Sequence, residues 1–197
     1  APECPRGFLG KRCDPAMTDG KVALITGGAG AVGAATAHML AADGFDLVLA
    51  DIAADRTQEI CAAIRAEHGV EALAFPLDLT AADACGTLVA AVSERFGRLD
   101  CLVNNAGRTG APRLGEVDLA VWNQVLAMNL TVPMLLCQEA RPLLAASGGG
   151  SIVNVASRVY LAGTGVGYTS SKSGLIGLTR VLAVQLGPEN IRVNALA

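Results

Sequence analysis

Residues 22–33 read Val-Ala-Leu-Ile-Thr-Gly-Gly-Ala-Gly-Ala-Val-Gly, an order that few folds can accept. Four apolar residues in a row suit a strand buried on both faces. The glycines that follow permit a tight turn and a close approach of backbone to another group. A helical run begins at once and continues to about residue 43. A strand, a glycine turn and a helix start present unpaired N–H groups and the positive end of a helix dipole to an anion. The expected occupant is the diphosphate of a dinucleotide. Glycine turns are common, so the flanking strand and helix carry the weight of this reading.

The rest of the chain repeats the alternation. Strands are expected over residues 45–50, 71–77, 100–103, 151–155 and 191–196. Helices are expected over 53–68, 81–96 and 118–145, and from Tyr168 to about 186, where Gly187-Pro188 ends the last one. Alternating strands and helices predict an α/β doubly wound parallel sheet. Composition agrees: 52% of the 197 residues are apolar but only 4% aromatic, so Ala, Val, Leu and Ile must build the core. Ligands bind such sheets at the strand C-terminal ends, where the motifs fall.

Several function classes are disfavoured. The net charge is −3 and there is no basic run, which argues against nucleic acid and anionic membranes as partners. No unbroken apolar stretch reaches the roughly 18 residues of a membrane span, and residues 1–16 lack a signal-peptide core. A cytoplasmic location is expected. Cys61, Cys85, Cys101 and Cys137 fall singly in helix or strand patterns and read as buried thiols. No Cys/His spacing suggests a zinc site. His68 ends a helix as a cap, His38 has no partner in the pattern, and neither invites a catalytic or metal role.

Residues 1–20 differ from the remainder, with three prolines and no apolar period. The stretch from Cys4 to Cys13 resembles the last loop of an epidermal-growth-factor-like module, but four of that module's cysteines are absent. These residues read as an appended or disordered leader, with Met17 a natural start and the folded domain spanning 21–197.

Two further motifs suggest chemistry. Asp51 closes the second strand, where a carboxylate can accept hydrogen bonds from ribose hydroxyls and would repel a 2′-phosphate. The competing role is a cap for the next helix. Arg56, one turn on, is the nearest cation. Tyr168 and Lys172 are four residues apart and share a helix face. An ammonium near a phenol, whose pKa is ordinarily about 10, favours the phenolate, so the pair could move a proton to or from an alcohol oxygen. Asn129 is a polar residue on an otherwise apolar helix, either a satisfied core amide or part of a water-holding relay.

Taken together, Thr26–Gly33, Asp78, Asn104-Asn105-Ala106-Gly107, Asn129, Ser157, Tyr168-x-x-x-Lys172 and Ile191–Asn194 resemble the short-chain dehydrogenase/reductase family across residues 20–197. The resemblance implies a Rossmann-like sheet with strand order 3-2-1-4-5-6 and an NAD(H)-dependent interconversion of a secondary alcohol and a ketone. NADP is the less favoured cofactor. It implies that Tyr168 is the general acid/base, Ser157 holds the substrate oxygen, Lys172 lowers the tyrosine pKa and binds ribose, and Asn129 completes a proton relay. Gly27 and Gly33, with Thr26, Gly30 and Val32 around them, would meet the pyrophosphate. Asp51 and Ile52 would face the adenosine ribose, Asp78 and Leu79 the adenine, and Asn105, Ala106 and Gly107 the inner ribose. A homodimer or homotetramer, a small alcohol or ketone substrate and no metal are also implied.

Three departures from the family pattern stand out. Ala31 replaces the middle glycine. Ser157 and Tyr168 are eleven positions apart, so the loop 158–167 must be tight, with freedom from its glycines and Ala162. The sequence given stops at Ala197, before the family's substrate loop and seventh strand, which would leave strand six a bare edge. An inactive dinucleotide-binding fragment or scaffold is therefore the alternative function. Substrate contacts are expected from 109–114 and 158–167. Arg108, Arg113 and Arg158 could meet an anionic substrate or simply be solvated surface.

Overall fold

The computed structural model describes residues 20–110, 113–163 and 165–197. The expected leader, apart from Gly20, lies outside them. Six strands form one parallel sheet: β1 (Val22–Thr26), β2 (Asp46–Asp51), β3 (Ala72–Pro76), β4 (Cys101–Asn104), β5 (Gly150–Val155) and β6 (Ile191–Leu196). Their order is β3-β2-β1-β4-β5-β6, the doubly wound arrangement that the sequence predicts. The order reverses between β1 and β4, so their C-terminal ends open a crevice there.

The period-two alternation of side chains sorts the central strands into two cores. Val22 and Leu24 of β1, with Val48 and Ala50 of β2, meet Leu88, Leu136 and Leu186 on one face. Those three side chains belong to α3 (Ala84–Phe96), α5 (Val132–Ala146) and α7 (Val166–Leu186). Ala23 and Ile25, with Leu47 and Leu49, meet Ala37, Cys61 and Ile64 on the other. These come from α1 (Ala31–Ala42) and α2 (Ala54–His68). All five β1 residues are buried, as a strand covered on both faces requires.

Three details differ from the sequence reading. The helix expected over 118–145 is α4 (Leu119–Leu126), a π-helical turn (Ala127–Thr131) and α5, which run on as one. This 28-residue run is long and apolar enough by composition to cross a membrane, although no unbroken apolar stretch of the sequence is. Its Val125, Val132, Leu136, Ala140 and Leu144 are buried in the core. In the segment read as a loop over 158–167, a one-turn helix α6 (Val159–Ala162) forms, and α7 begins at Val166. Finally, α2 is closed by Gly69 at φ 71° rather than by His68 alone. The Gly69 N–H donates to the Arg65 carbonyl, and glycine accepts this left-handed geometry without a Cβ clash.

Candidate active site

The glycine turn is held by its own backbone and by two side chains. The N–H groups of Gly27 and Gly28 donate to the Ala50 carbonyl, and Gly30 N–H donates to the Gly27 carbonyl. Ala29 N–H donates to Asp51 Oδ2 at 3.0 Å. Asn105 Nδ2 donates to the carbonyls of Thr26 and Gly27. Thr26 Oγ1 in turn accepts from the N–H groups of Asn105 and Ala106. This stitches β1 to the end of β4 and sets the turn's shape. A Cβ on Gly33 would lie 2.1 Å from the Gly27 carbonyl oxygen, so no side chain fits there. Gly27 has φ 67° and a site for Cβ only 2.9 Å from Ala106 Cα.

What remains outward is the start of α1. Its N-cap Gly30 provides no side-chain hydrogen bond to the first turn. The early N–H groups of a helix have no partner inside it, and among the described residues no N-cap side chain bonds to them. Ala31 is exposed at the first helical position, so its methyl leaves the packing of the turn intact. An uncapped helix start above a backbone cradle fits a diphosphate.

Asp51, the last residue of β2, ties down the backbone on both sides of the cleft rim, while α2 itself starts from its N-cap Ala53 without a side-chain cap. Its Oδ2 accepts from Ala29 in the turn and its Oδ1 accepts from Ala53 N–H, just before α2. The half-buried carboxylate therefore couples the glycine turn to the helix after β2. Asp78 accepts from both the N–H and Oγ1 of Thr80, which holds its carboxyl below the usual range. A cleft of about 440 Å³ joins Gly27, Asp51, Ile52, Asp78, Leu79, Ala106 and Gly107. Val32 lies exposed on the first turn of α1. Gln124, Ala127 and Met128 also line the cleft; nothing in their sequence spacing marks them.

Two of the candidate proton-transfer residues, Asn129 and Lys172, approach the cleft at Gly107. A Cβ there would lie 3.5 Å from Asn129 Oδ1 and 3.7 Å from Lys172 Nζ. Asn129 sits in the π-helical turn and is fully buried. Its Oδ1 accepts from Arg108 N–H at 2.7 Å, and its Nδ2 donates to the Arg108 carbonyl and to Ser171 Oγ. Ser171 Oγ donates to the Tyr168 carbonyl. Ser171 is thus a buried link between Asn129 and the tyrosine's helix turn. It stands three positions after Tyr168 inside the motif, a signal the sequence carries but the Tyr/Lys pairing overshadows. Asn129 is a well-satisfied amide here, its side chain fastening Arg108 and Ser171 at once.

Lys172 is only 3% exposed. Its Nζ donates to the Val155 carbonyl at 2.6 Å and stands 5.9 Å from the centre of the Tyr168 ring. Burial lowers its pKa from 10.5 to about 8, because the charged form loses hydration. Ser157 follows β5, half-buried, with its Oγ accepting from Val159 N–H at the start of α6. Tyr168 is half-buried in the first turn of α7. Arg108 and Arg158 are exposed, as is Arg113.

Residues 21–197 match the family model for the short chain dehydrogenases. The chain belongs to that family. D-threitol dehydrogenase of Mycolicibacterium smegmatis is 35% identical over 181 residues, which cover 91% of this chain and 69% of that protein. The structure of NAD+-bound xylitol dehydrogenase superposes with a TM-score of 0.84 at 35% identity, covering 89% of this chain and 68% of that one. L-sorbose reductase from Gluconobacter frateurii, complexed with NADPH and L-sorbose, has a TM-score of 0.86 at 30% identity, with coverage of 89% and 68%. As a short-chain dehydrogenase, the chain is an oxidoreductase of CH–OH groups with a nicotinamide dinucleotide cofactor. It spans about 70% of the length of these relatives.

Proposed function

We propose that this short-chain dehydrogenase interconverts a secondary alcohol and a ketone with NAD(H), using Tyr168 as the proton donor and acceptor. One observation carries the reading: at Gly107 the cleft beside the glycine turn adjoins Asn129 and Lys172, the latter one helical turn from Tyr168. The uncapped start of α1 would hold the diphosphate, and the bound nicotinamide would supply or accept hydride. Lys172 places its Nζ 5.9 Å from the centre of the phenol ring. In the reducing direction the Tyr168 hydroxyl gives its proton to the carbonyl oxygen, and Ser157 holds that oxygen by a hydrogen bond. The Asn129–Ser171 link fixes the turn that carries Tyr168.

NAD is favoured over NADP because Asp51 places a carboxylate at the rim of the cleft, where it would repel a 2′-phosphate. Small polyols and ketoses are the substrate class favoured by the threitol, xylitol and sorbose relatives. Among the described residues, four buried free cysteines suit a reducing compartment such as the cytoplasm. Exposed Val181 and Val184 on α7 suit self-association into a dimer or tetramer, which sedimentation velocity would test.

The functional test is a panel of secondary alcohols with NAD+, followed by absorbance of the reduced cofactor. Turnover with at least one alcohol is expected, and Tyr168→Phe should lower it by about 10²–10⁴-fold while leaving NAD affinity nearly unchanged. NAD binding without turnover on any substrate would instead support the inactive dinucleotide-binding reading.

A further inference from the structure

The packing of α1 on α2 creates a side-chain cluster that the oxidoreductase reading does not use. His38 stands in the later half of α1, while Glu67 and His68 end α2. His38 Nδ1 lies 3.4 Å from His68 Nε2 and 3.2 Å from Glu67 Oε2. His68 Nε2 lies 3.6 Å from the same carboxylate oxygen. Three ligand atoms from two helices thus form a nearly equilateral triangle.

That spacing has a meaning. A tetrahedral zinc ion with bonds of about 2.0–2.1 Å separates its ligand atoms by about 3.3–3.4 Å. The three edges bracket this value. Two imidazole N–H groups donating to one carboxylate oxygen account for two edges of such a triangle. A cation at its centre explains all three. The two ring planes are inclined at 69° with centroids 5.6 Å apart, and their nearest nitrogens are 3.4 Å apart.

The surroundings also suit a cation. The His68 side chain is 16% exposed and that of His38 is 37%, so packing holds both imidazoles. Glu67 is 62% exposed, which leaves the triangle open to solvent on one side for a water as fourth ligand. Two of the three ligands lie in the last turn of α2, where the helix dipole favours positive charge. Neutral imidazole with one carboxylate is a donor set suited to zinc.

We propose that His38, Glu67 and His68 form a zinc-binding site that staples α1 to α2. The site is structural. It lies toward the far end of α1 from Gly30–Gly33 and makes no contact with the cleft. By holding α1 against α2, it steadies the helix whose first turn faces the diphosphate.

Titration of the full chain with zinc chloride, in competition with a chromophoric chelator, tests the site. One zinc per chain and a higher Tm are expected. His38→Ala should weaken binding by at least ~100-fold, since even partners behind the ligands cost 10–100-fold, and should remove the gain in Tm. Glu67→Gln, which keeps the side-chain volume, should weaken binding without altering the far-ultraviolet circular dichroism. Cobalt(II) should give the intense visible bands of tetrahedral coordination in the wild type and not in His68→Gln. Undiminished zinc affinity in folded His38→Ala would assign the metal to the cysteines or elsewhere and overturn the proposal. So would a wild type that binds no zinc in the millimolar range. These readouts are independent of dehydrogenase activity.

Discussion

The two halves of the sheet are built on different principles. In the β1–β2–β3 half, helices cover both faces at β1 and β2, and the interior is almost wholly apolar. In the β4–β5–β6 half, α5 and α7 cover one face, while Val153 and Val155 on the other are only half-buried. Arg192, Asn194 and Leu196 of β6 are exposed. This second half is held in part by buried polar groups: Asn104 Nδ2 donates to Asn154 Oδ1, and Asn154 Nδ2 donates to Thr179 Oγ1 on α7. Asn129, Ser171 and Lys172 are buried in the same half. The interior of the nucleotide half therefore gains its stability chiefly from apolar burial. The proposed proton-transfer half keeps desolvated polar groups in place, and these stabilise only while they remain paired.

The sharpest way to break this contrast is at Gly33. A valine there would need the Gly27 carbonyl to move away from a Cβ at 2.1 Å. We expect a loss of more than about 4 kcal/mol or outright failure to fold, read by urea unfolding. A merely local loss of nucleotide affinity would show that the turn yields independently of the sheet.

Apolar truncations should separate the halves next. Leu24→Ala removes a side chain with no exposed surface and should cost about 2–5 kcal/mol. Val153→Ala, on the half-covered face, should cost less than about 1.5 kcal/mol. Equal costs in equilibrium unfolding would mean that the second face is as well packed as the first.

Lys172 offers a test of the opposite sign. Burial lowers its pKa to about 8, against 10.5 in the unfolded chain. Below pH 8 the folded protein carries a buried ammonium at a cost. Between about pH 8 and 10.5 the unfolded chain holds a proton that the folded chain has released, so this group makes stability rise with pH across that window. Cys61 and Cys137 act in the other direction. Their thiols are pushed from 9.0 up to about 11 and about 12 by burial, so the folded chain holds the extra proton and stability falls above pH 9. The difference between wild type and Lys172→Met isolates the lysine. The variant should be more stable by about 1–3 kcal/mol at pH 7 and lose that advantage by pH 10.5, while its turnover collapses. An advantage that does not change with pH would remove the desolvation account.

The smallest expected effect is a gain. Gly177 lies exposed inside α7, and a Cβ there meets nothing within 4 Å. Gly177→Ala should stabilise the chain by about 0.5–1 kcal/mol, measured by the same unfolding assay. A loss would show that α7 is packed against another body in solution, as the proposed oligomer would require.

Much of this molecule is legible in the sequence, for local reasons. Strands β1 and β2 appear as apolar runs, α2 and α3 as helical patterns, and the phosphate turn as glycines between a strand and a helix. The candidate residues Asp51, Asp78 and Asn105 through Gly107 follow strands. In a parallel sheet every strand C-terminus opens on the same edge, so the topology gathers Asp51, Asp78, Ala106 and Gly107 at one cleft, with Asn105 tied to the glycine turn beside it. Tyr168 and Lys172 need only the pitch of one helix. Ser171 was legible in principle, since it lies within that helix, but its link to Asn129 spans 42 positions. The one-turn α6 was missed because glycines dominate the sequence beside it.

The sequence by itself determined the order of elements, the strand-turn-helix proposed to hold a diphosphate and the Tyr/Lys pair, because backbone sterics and side-chain periodicity act over a few residues. Only the tertiary structure decided that Asn129 would bond to Ser171, that Gly107 would adjoin both Asn129 and Lys172, and that His38 would reach Glu67 and His68 across about thirty positions. Those meetings are set by how helices pack against a twisted sheet, and no spacing along the chain encodes them.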